Sequence, residues 1–388
     1  MPDEVLVAEC ARRNLRVHGD VVSSAINTPH LMKGQGADAI EKLLAVRYTT
    51  LGELGIGSSS VVYEISPVKD PTKRYALKVM QKGSDAGGHS GGWENTDDEM
   101  HEEVSILRSV HHPCIAGCIE VFESVRAFHL VLERLNGGEL RELLLTSPHK
   151  QGLSEFHSRS MARQLLEALA YLQLIGIAHR DVKLDNLLLV ENRPDSVCKL
   201  CDFGLAKNVS QAKGYDGRDP ASVKSCRAIV DEGYYGTLDT MAPEVMTEEG
   251  DEGYGPQCDV YSAGCVISTL LSGYFPFDAD STDEFERLVR GRPVEYPCPV
   301  EHPEWEGVSD SAKDFLQQIM THDPLDRPTA AEALQLPWLN QTGGSKKRPA
   351  GKTKTQTTKK KGGPKRTPVF QGLSCPSFSA AGSNSDSE

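Results

Sequence analysis

The 388-residue chain has no apolar run of the roughly 20 residues that a membrane-spanning helix needs, and its first thirty residues mix acids and arginines where a leader would be apolar. No membrane association is expected, and an intracellular setting, cytoplasm or nucleus, is. The ten cysteines are scattered through apolar stretches without a regular frame, which argues against a disulfide scaffold. Complete zinc ligand sets are missing as well. Cys198 and Cys201 bracket "KL" in a strand-like stretch whose i and i+3 positions point to opposite faces, and Cys114 and Cys118 have no second pair. No EF-hand calcium loop and no internal repeat occurs. What is left, 38% hydrophobic and 25% charged, is an ordinary globular composition long enough for two lobes plus tails.

Charge is distributed unevenly. Residues 341–388 hold ten Lys and Arg, all between Lys346 and Arg366, against Asp386 and Glu388, and lack apolar periodicity. Residues 340–388 therefore read as a disordered basic tail. The body, residues 1–340, carries a formal −21 against the tail's +8. Such a body repels nucleic acid, while the tail offers two basic clusters across a flexible spacer, either a signal for import factors or a non-specific contact for nucleic acid. It has no interleaved aromatics for stacking on bases. "AGKT" at Ala350 is a decoy, because Lys346 stands where a P-loop needs its first Gly and no strand precedes it.

Residues 1–47 form an extension with one short amphipathic helix, marked by Ile40, Leu43 and Leu44. From Tyr48 the stretches "TTLGELGIG", "SVVYEIS" and "YALKVM" read as short strands separated by turn residues. Between Lys82 and Asp98 lies a glycine-dense acidic insertion, after which "EEVSILRSV" resumes helical spacing. Beyond "LNGGEL" the pattern is helical through "LPWL", ending near Leu339. The expected class is α+β, with a small sheet-rich lobe over about 48–132 and a larger, mostly α lobe over about 136–339.

The residues that carry chemistry cluster in four places. "GIGSSSVV" places Gly55, Ile56, Gly57, Ser58, Ser59 and Ser60 before Val61, Val62 and Tyr63, which continue as a strand. The loop is therefore a β-hairpin whose amides could lie over phosphates, not the helix-opening loop of a dinucleotide fold. Lys78, in an apolar strand, is either a surface lysine on an edge or, paired with Glu103 of the following helix, a point charge for nucleotide phosphates. In "IAHRDVKLDNLLL" a polar patch sits between a leucine-rich helix (Met161, Leu165, Leu166, Leu169, Leu172) and an apolar triplet. Asn186 in this patch and Asp202 in "KLCDFGLAK" offer hard oxygens suited to magnesium. Asp181 can receive a proton from an attacking hydroxyl while Lys183 offsets phosphoryl charge, and Arg180 is free to reach an anion elsewhere.

With these motifs in order, and with "APE" and "DRPTA" after them, the chain resembles the eukaryotic protein kinases from about Tyr48 to Leu339. The resemblance implies a bilobal kinase fold: a small antiparallel sheet with one main helix, and a helical lobe. It also implies ATP and Mg2+ as cofactors and protein Ser/Thr residues as substrates. By the same match Lys78 and Glu103 orient the phosphates, Asp181 is the catalytic base with Lys183 and Thr237 beside it, and Asn186 and Asp202 hold the metal. Val62, Ala76 and Leu188 sandwich adenine, Leu132 is the gatekeeper, Glu133 and Leu135 form the hinge, and Glu139 lies near the ribose. Leu107, His179 and Phe203 belong to an apolar spine, and Glu244 pairs with Arg327. Lys183 after "HRD", with Thr237 downstream, resembles the serine/threonine class. "HHPCIAGCIEVFES", "LERLNGGEL" and "LLSGYFPF" look most like the calcium/calmodulin-dependent group, although the basic tail lacks the spaced apolar anchors of a calmodulin-binding helix.

The chain also departs from the family. Ser60 replaces the third loop glycine, a change some active kinases carry. Thr240 stands where an aromatic Tyr is usual. The segment from Gly204 to Ala242 is long and includes "GYDGRDPAS", which reads as a mobile excursion. Asp231 and Glu232 precede "GYYGT", so a carboxylate could meet Arg180 in place of an activation-loop phosphate. Glu139 and Asp185 are either solvated acids or receptors for an arginine N-terminal to the target residue. Two functions follow: an active, basophilic, monomeric Ser/Thr kinase, or a pseudokinase scaffold binding partners through fold and tail.

Overall fold

The computed structural model describes residues 31–33, 39–57, 60–82, 97–146, 152–230, 236–246, 253–277, 287, 289, 305 and 307–341. They divide into two compact units, one comprising residues up to 136 with 201–206, the other 137–200 and the residues from 207 onward.

The first unit is built on a six-stranded sheet. Its chain order is β1 (Leu31–Lys33), α1 (Ala39–Arg47), β2 (Tyr48–Ile56), β3 (Ser60–Pro67), β4 (Tyr75–Gln81), α2 (Asp97–Ser109), β5 (Cys118–Glu123) and β6 (Ala127–Glu133). The strands lie in the order β1-β5-β6-β4-β3-β2 and are antiparallel except for β1, which runs parallel to β5. Strand alternation sorts the side chains onto two faces. Val62 lies opposite Lys78, Lys78 opposite Leu130, and Ala76 opposite Leu132, so these residues share one face. On the other, Ile65, Leu77, Phe122 and Val131 form a core closed by Ile40 and Leu44 of α1.

Burying those two aliphatic side chains stabilises the docked helix by about 1.5–3 kcal/mol each. Arg47 Nη1 and the Tyr48 hydroxyl both donate to the Glu120 carboxylate, at 2.8 and 2.7 Å, and pin the end of α1. Residues 39–47 of the extension are thus docked on the sheet, and β1, absent from the sequence reading, extends it. On α2, Asp97, Asp98 and Glu99 occupy the first turn, where the helix dipole favours acids, and Met100, Val104 and Leu107 are buried.

The second unit is helical. It contains α3 (Leu140–Leu145), α4 (Glu155–Ile175), the short strands β7 (Ile177–Ala178), β8 (Leu187–Leu189), β9 (Cys198–Leu200) and β10 (Lys207–Asn208), then α5 (Pro220–Ser225), α6 (Gln257–Ser272), α7 (Asp310–Ile319) and α8 (Ala330–Ala333). Helix α4 starts at Ser154, whose hydroxyl accepts the His157 N–H, and stops at Gly176. There φ is 76°, and a Cβ would lie 2.6 Å from Ser210 Cα, so only glycine fits. Met161, Leu165, Leu166, Leu169 and Leu172 are all buried, as their spacing requires. Every residue of α6 is buried, which makes it the unit's central helix. Arg327, fully buried, grips Glu244 through two bonds of 2.7 and 2.9 Å. Cys114, Cys118, Cys198, Cys201, Cys226, Cys258 and Cys265 are free thiols, and no metal-binding cluster occurs among the described residues.

The excursion "GYDGRDPAS" corrects the expectation of a mobile segment. Asp219 caps α5 by accepting the Ala221 N–H at 3.1 Å, and Ser222 donates to Gly214 O while accepting from Asp216 N–H. Lys224 pairs with Glu332 at 2.9 Å, Tyr215 donates to Gln173 O, and Gly217 abuts the last carbonyls of α4. Local side-chain caps and one close glycine approach order it. Among the described residues no helix is long and apolar enough to cross a membrane.

His129, on β6 opposite Val79 and Phe122, is buried and both ring nitrogens lack hydrogen-bond partners. Burial pushes its pKa down from 6.5 to about 4. The unfolded chain therefore takes up a proton near pH 6.5 and the folded chain only near pH 4, so the stability held above pH 6.5 is lost as pH falls through that window. Urea unfolding should show about 2 kcal/mol of this loss between pH 7 and 5, and His129→Leu should remove that part of the pH dependence.

Candidate active site

In the first unit the sheet fixes one ammonium group. Lys78 Nζ lies 2.8 Å from Glu103 Oε1 on α2 and 3.0 Å from Asp202 Oδ1. Burial pushes the Lys78 pKa down, but the two carboxylates outweigh it and hold the group protonated, well above its ordinary range. The surface-lysine alternative is thereby excluded. Asp202 sits in the left-handed region at φ 61°, a strained conformation for a non-glycine residue that aims its carboxylate at Lys78. Its side chain is 49% exposed, leaving room for a further cation on the carboxylate. Phe203 is fully buried.

The loop ahead of β3 is the hairpin that the sequence indicates. Gly55 faces Val62 and Ile56 faces Val61, and the Gly57 N–H donates to Ser60 O at 2.7 Å. Gly57 is packed so that a Cβ would approach Ser60 Oγ to 3.2 Å. Ser58 and Ser59 lie outside the described residues. Val62, Ala76 and Leu132 lie on the Lys78 face, which gives that face an apolar floor beside one charge. Glu133 folds back, its carboxylate accepting the Gly117 N–H at 3.1 Å. The Leu135 carbonyl accepts from Arg134, so its own N–H is the backbone group it would offer a ligand.

In the second unit, Asp181 is surrounded by donors. Thr237 Oγ1 donates to Oδ1 at 2.9 Å, Lys183 Nζ lies 2.8 Å from Oδ2, and Asn186 Nδ2 donates to Oδ2 and to the backbone carbonyl, both at 2.8 Å. Lys183 also donates to Thr237 Oγ1 at 3.0 Å. Asp181, Lys183, Asn186 and Thr237 are thus brought together. With its amide nitrogen committed to Asp181, Asn186 has Oδ1 as the atom a cation would use. Asp202 in the first unit and Asn186 in the second are each of a residue type whose oxygen suits Mg2+.

Glu139 and Leu188 are joined by a backbone bridge. Burial, then the neighbouring Asp185 and Glu142, push the Glu139 pKa up. Asp185 is engaged by Arg141 at 3.3 Å, an ion pair the sequence reading missed.

Two further residues, Asp259 and Tyr254, were not anticipated. Asp259, on α6, accepts the His179 and Arg180 backbone N–H groups at 2.7 and 2.8 Å, holding the loop that carries Asp181. Arg180, at φ 70°, is buried, and its Nε donates to the Tyr254 hydroxyl at 2.8 Å with the guanidinium 5.6 Å from that ring's centroid. Its Nε is thus engaged inside the second unit. Asp231 and Glu232, proposed to meet it, lie outside the described residues. Thr240 is buried, and the Ser262 hydroxyl donates to its carbonyl at 2.7 Å.

An acid primed beside a hydroxyl and a lysine, together with a lysine held between two carboxylates, defines the protein kinase class. The family model of the protein kinase domain matches residues 48–339, and the chain belongs to that family. Its relatives are serine/threonine kinases. It is 33% identical over 316 residues to "Probable serine/threonine-protein kinase fhkD" of Dictyostelium discoideum, covering 78% of this chain and 38% of that protein. It is 32% identical over 294 residues to myosin light chain kinase A of the same organism, covering 76% and 88%. It is 34% identical over 289 residues to the mouse calcium/calmodulin-dependent protein kinase type IV, covering 74% and 53%. The chain thus spans about two fifths of the first of these proteins, about half of the third and most of the second.

Because Asp259 satisfies two buried N–H groups, Asp259→Ala should destabilise the second unit by about 2–6 kcal/mol, read by denaturant unfolding.

Proposed function

We propose that this chain transfers the γ-phosphoryl group of Mg-ATP to Ser and Thr side chains of proteins, with a preference for basic sequences. The observation that carries the reading is the hydrogen-bonded group of Asp181, Thr237, Lys183 and Asn186.

In this reading the substrate hydroxyl approaches the Asp181 carboxylate, which orients it and receives its proton as the oxygen bonds to phosphorus. Lys183 offsets charge on the transferring group, and Thr237 holds Asp181 and Lys183 in register. Lys78, fixed by Glu103, binds phosphate oxygens as a point charge. The hairpin Gly55–Ser60 covers the phosphates, Val62, Ala76 and Leu132 of the first unit contact adenine, as does Leu188 of the second, and Glu133 and Leu135 bond its edge. Asn186 and Asp202 would hold Mg2+, which supplies charge neutralisation to the phosphates.

Glu139, Glu142 and Asp185 make this part of the surface acidic, and Arg141 neutralises only part of it. An arginine three residues before the target would pair there. Several relatives are named for calcium and calmodulin. The basic run Lys346–Arg366 contains no large apolar anchor for a calmodulin groove, so activity without calmodulin is expected. The tail would serve import factors or acidic partners.

The test is phosphoryl transfer to a peptide library. Asp181→Asn should keep ATP binding while turnover falls by about 10²–10⁴, and peptides with Arg at the third position before Ser or Thr should be favoured. Wild-type turnover in Asp181→Asn would overturn the catalytic assignment, and an acidic or proline-directed preference would overturn the substrate class.

A further inference from the structure

Glu123, at the end of β5, has a side chain only 12% exposed, and it collects three basic groups from different parts of the first unit. Lys82 Nζ is 2.8 Å from Oε1, Lys33 Nζ 2.9 Å from Oε2, and His101 Nε2 3.8 Å from Oε1. Lys33 ends β1 and is the register partner of Glu123. Lys82 immediately precedes residues 83–96, and His101 lies in the second turn of α2 just after them, so both flanks of that segment converge on one carboxylate. The same two groups share a second anchor. The Lys82 ammonium lies 4.4 Å above the Phe128 ring, and the His101 ring meets it edge-on at 4.9 Å. Burial raises the Glu123 pKa, but Lys82 and Lys33 outweigh it and keep the carboxylate below its ordinary range, so it is an anion at neutral pH.

The height of α2 matters because Glu103, two residues beyond His101, must end 2.8 Å from Lys78. The apolar contacts of α2, through Met100, Val104 and Leu107, are non-directional and resist lifting more than sliding. A slip of one residue would move the helix by about 1.5 Å and turn Glu103 by about 100°, enough to break the pair. Contacts at fixed points, His101 against the Glu123 carboxylate and edge-on to the Phe128 ring, resist that slip.

We propose that Glu123 is a positioning residue for the Lys78–Glu103 pair, joining β1 and the start of α2 to the sheet at the height at which Glu103 reaches Lys78. The proposal rests on the phosphoryl-transfer reading of Lys78. It gives Lys33 of β1 a part in the reaction, although the matched kinase domain begins at residue 48.

The test uses the full chain with saturating basic peptide, reading kcat, KM for ATP and Tm. Glu123→Gln should raise KM for ATP about tenfold while Tm moves by less than ~4 °C, since the apolar core is untouched. On a Glu103→Gln background the same change should add less than about twofold, because a residue acting through Glu103 has nothing left to position. A merely structural role predicts the full tenfold loss on both backgrounds, and that result, or an unchanged KM in Glu123→Gln, overturns the proposal. If Glu123→Gln fails to fold, Lys33→Ala, whose side chain is 65% exposed, carries the test. KM raised about two- to threefold supports the proposal, and an unchanged KM overturns it. Wild-type turnover in Asp181→Asn would instead remove the underlying catalytic reading. An inactive Asp181→Asn with wild-type ATP dependence in Glu123→Gln removes the role of Glu123 alone.

Discussion

A buried ammonium between two carboxylates is the constraint on which the first unit is organised. Lys78 is 14% exposed, and a charge so placed persists only if its partners hold position. The sheet register sets Lys78 opposite Val62 and Leu130, α2 brings Glu103 to it, and the left-handed turn at Asp202 brings the second carboxylate. Removing either acid would leave a desolvated cation only half paired. Helix α1 on the other face of the sheet belongs to the same construction, because a sheet exposed on that side would place Ile65, Leu77 and Val131 in water.

The second unit solves the opposite problem, an acid that must stay available. Asp181 is supported on every side by groups that donate to it, and the loop that carries it is fixed by Asp259 below. Thr237 bonds to both Asp181 and Lys183, so its position reports on both. The excursion of α5 is tied down by Lys224 against Glu332 and Tyr215 against Gln173, so part of the long stretch between Gly204 and Ala242 is held by contacts to α4 and α8.

Much of this was legible in the chain. The strand following "GIG", the lysine in "YALKVM" with an acid on the next helix, and the leucine spacing of α4 follow from periodicities of two and 3.6. Strand β1 was not legible, because three residues carry no period, and its pairing with β5 is long-range. Asp259 was missed because it works on backbone N–H groups inside a buried helix, where sequence shows one acid in an apolar run. The bond from Arg180 to Tyr254 escapes the sequence because the two lie 74 residues apart, and the order of the excursion because it comes from caps and a glycine contact, not from apolar spacing.

The central claim is that the pair made by Lys78 and Glu103 serves phosphoryl transfer. Single-turnover transfer of labelled γ-phosphate at saturating Mg-ATP, compared between the wild-type chain and Lys78→Met, tests it most directly. The account predicts transfer by the wild type and a rate lower by about 10² or more in the variant, with nucleotide still bound. Equal rates in the two proteins, or a wild-type chain that binds nucleotide and transfers nothing, would contradict it.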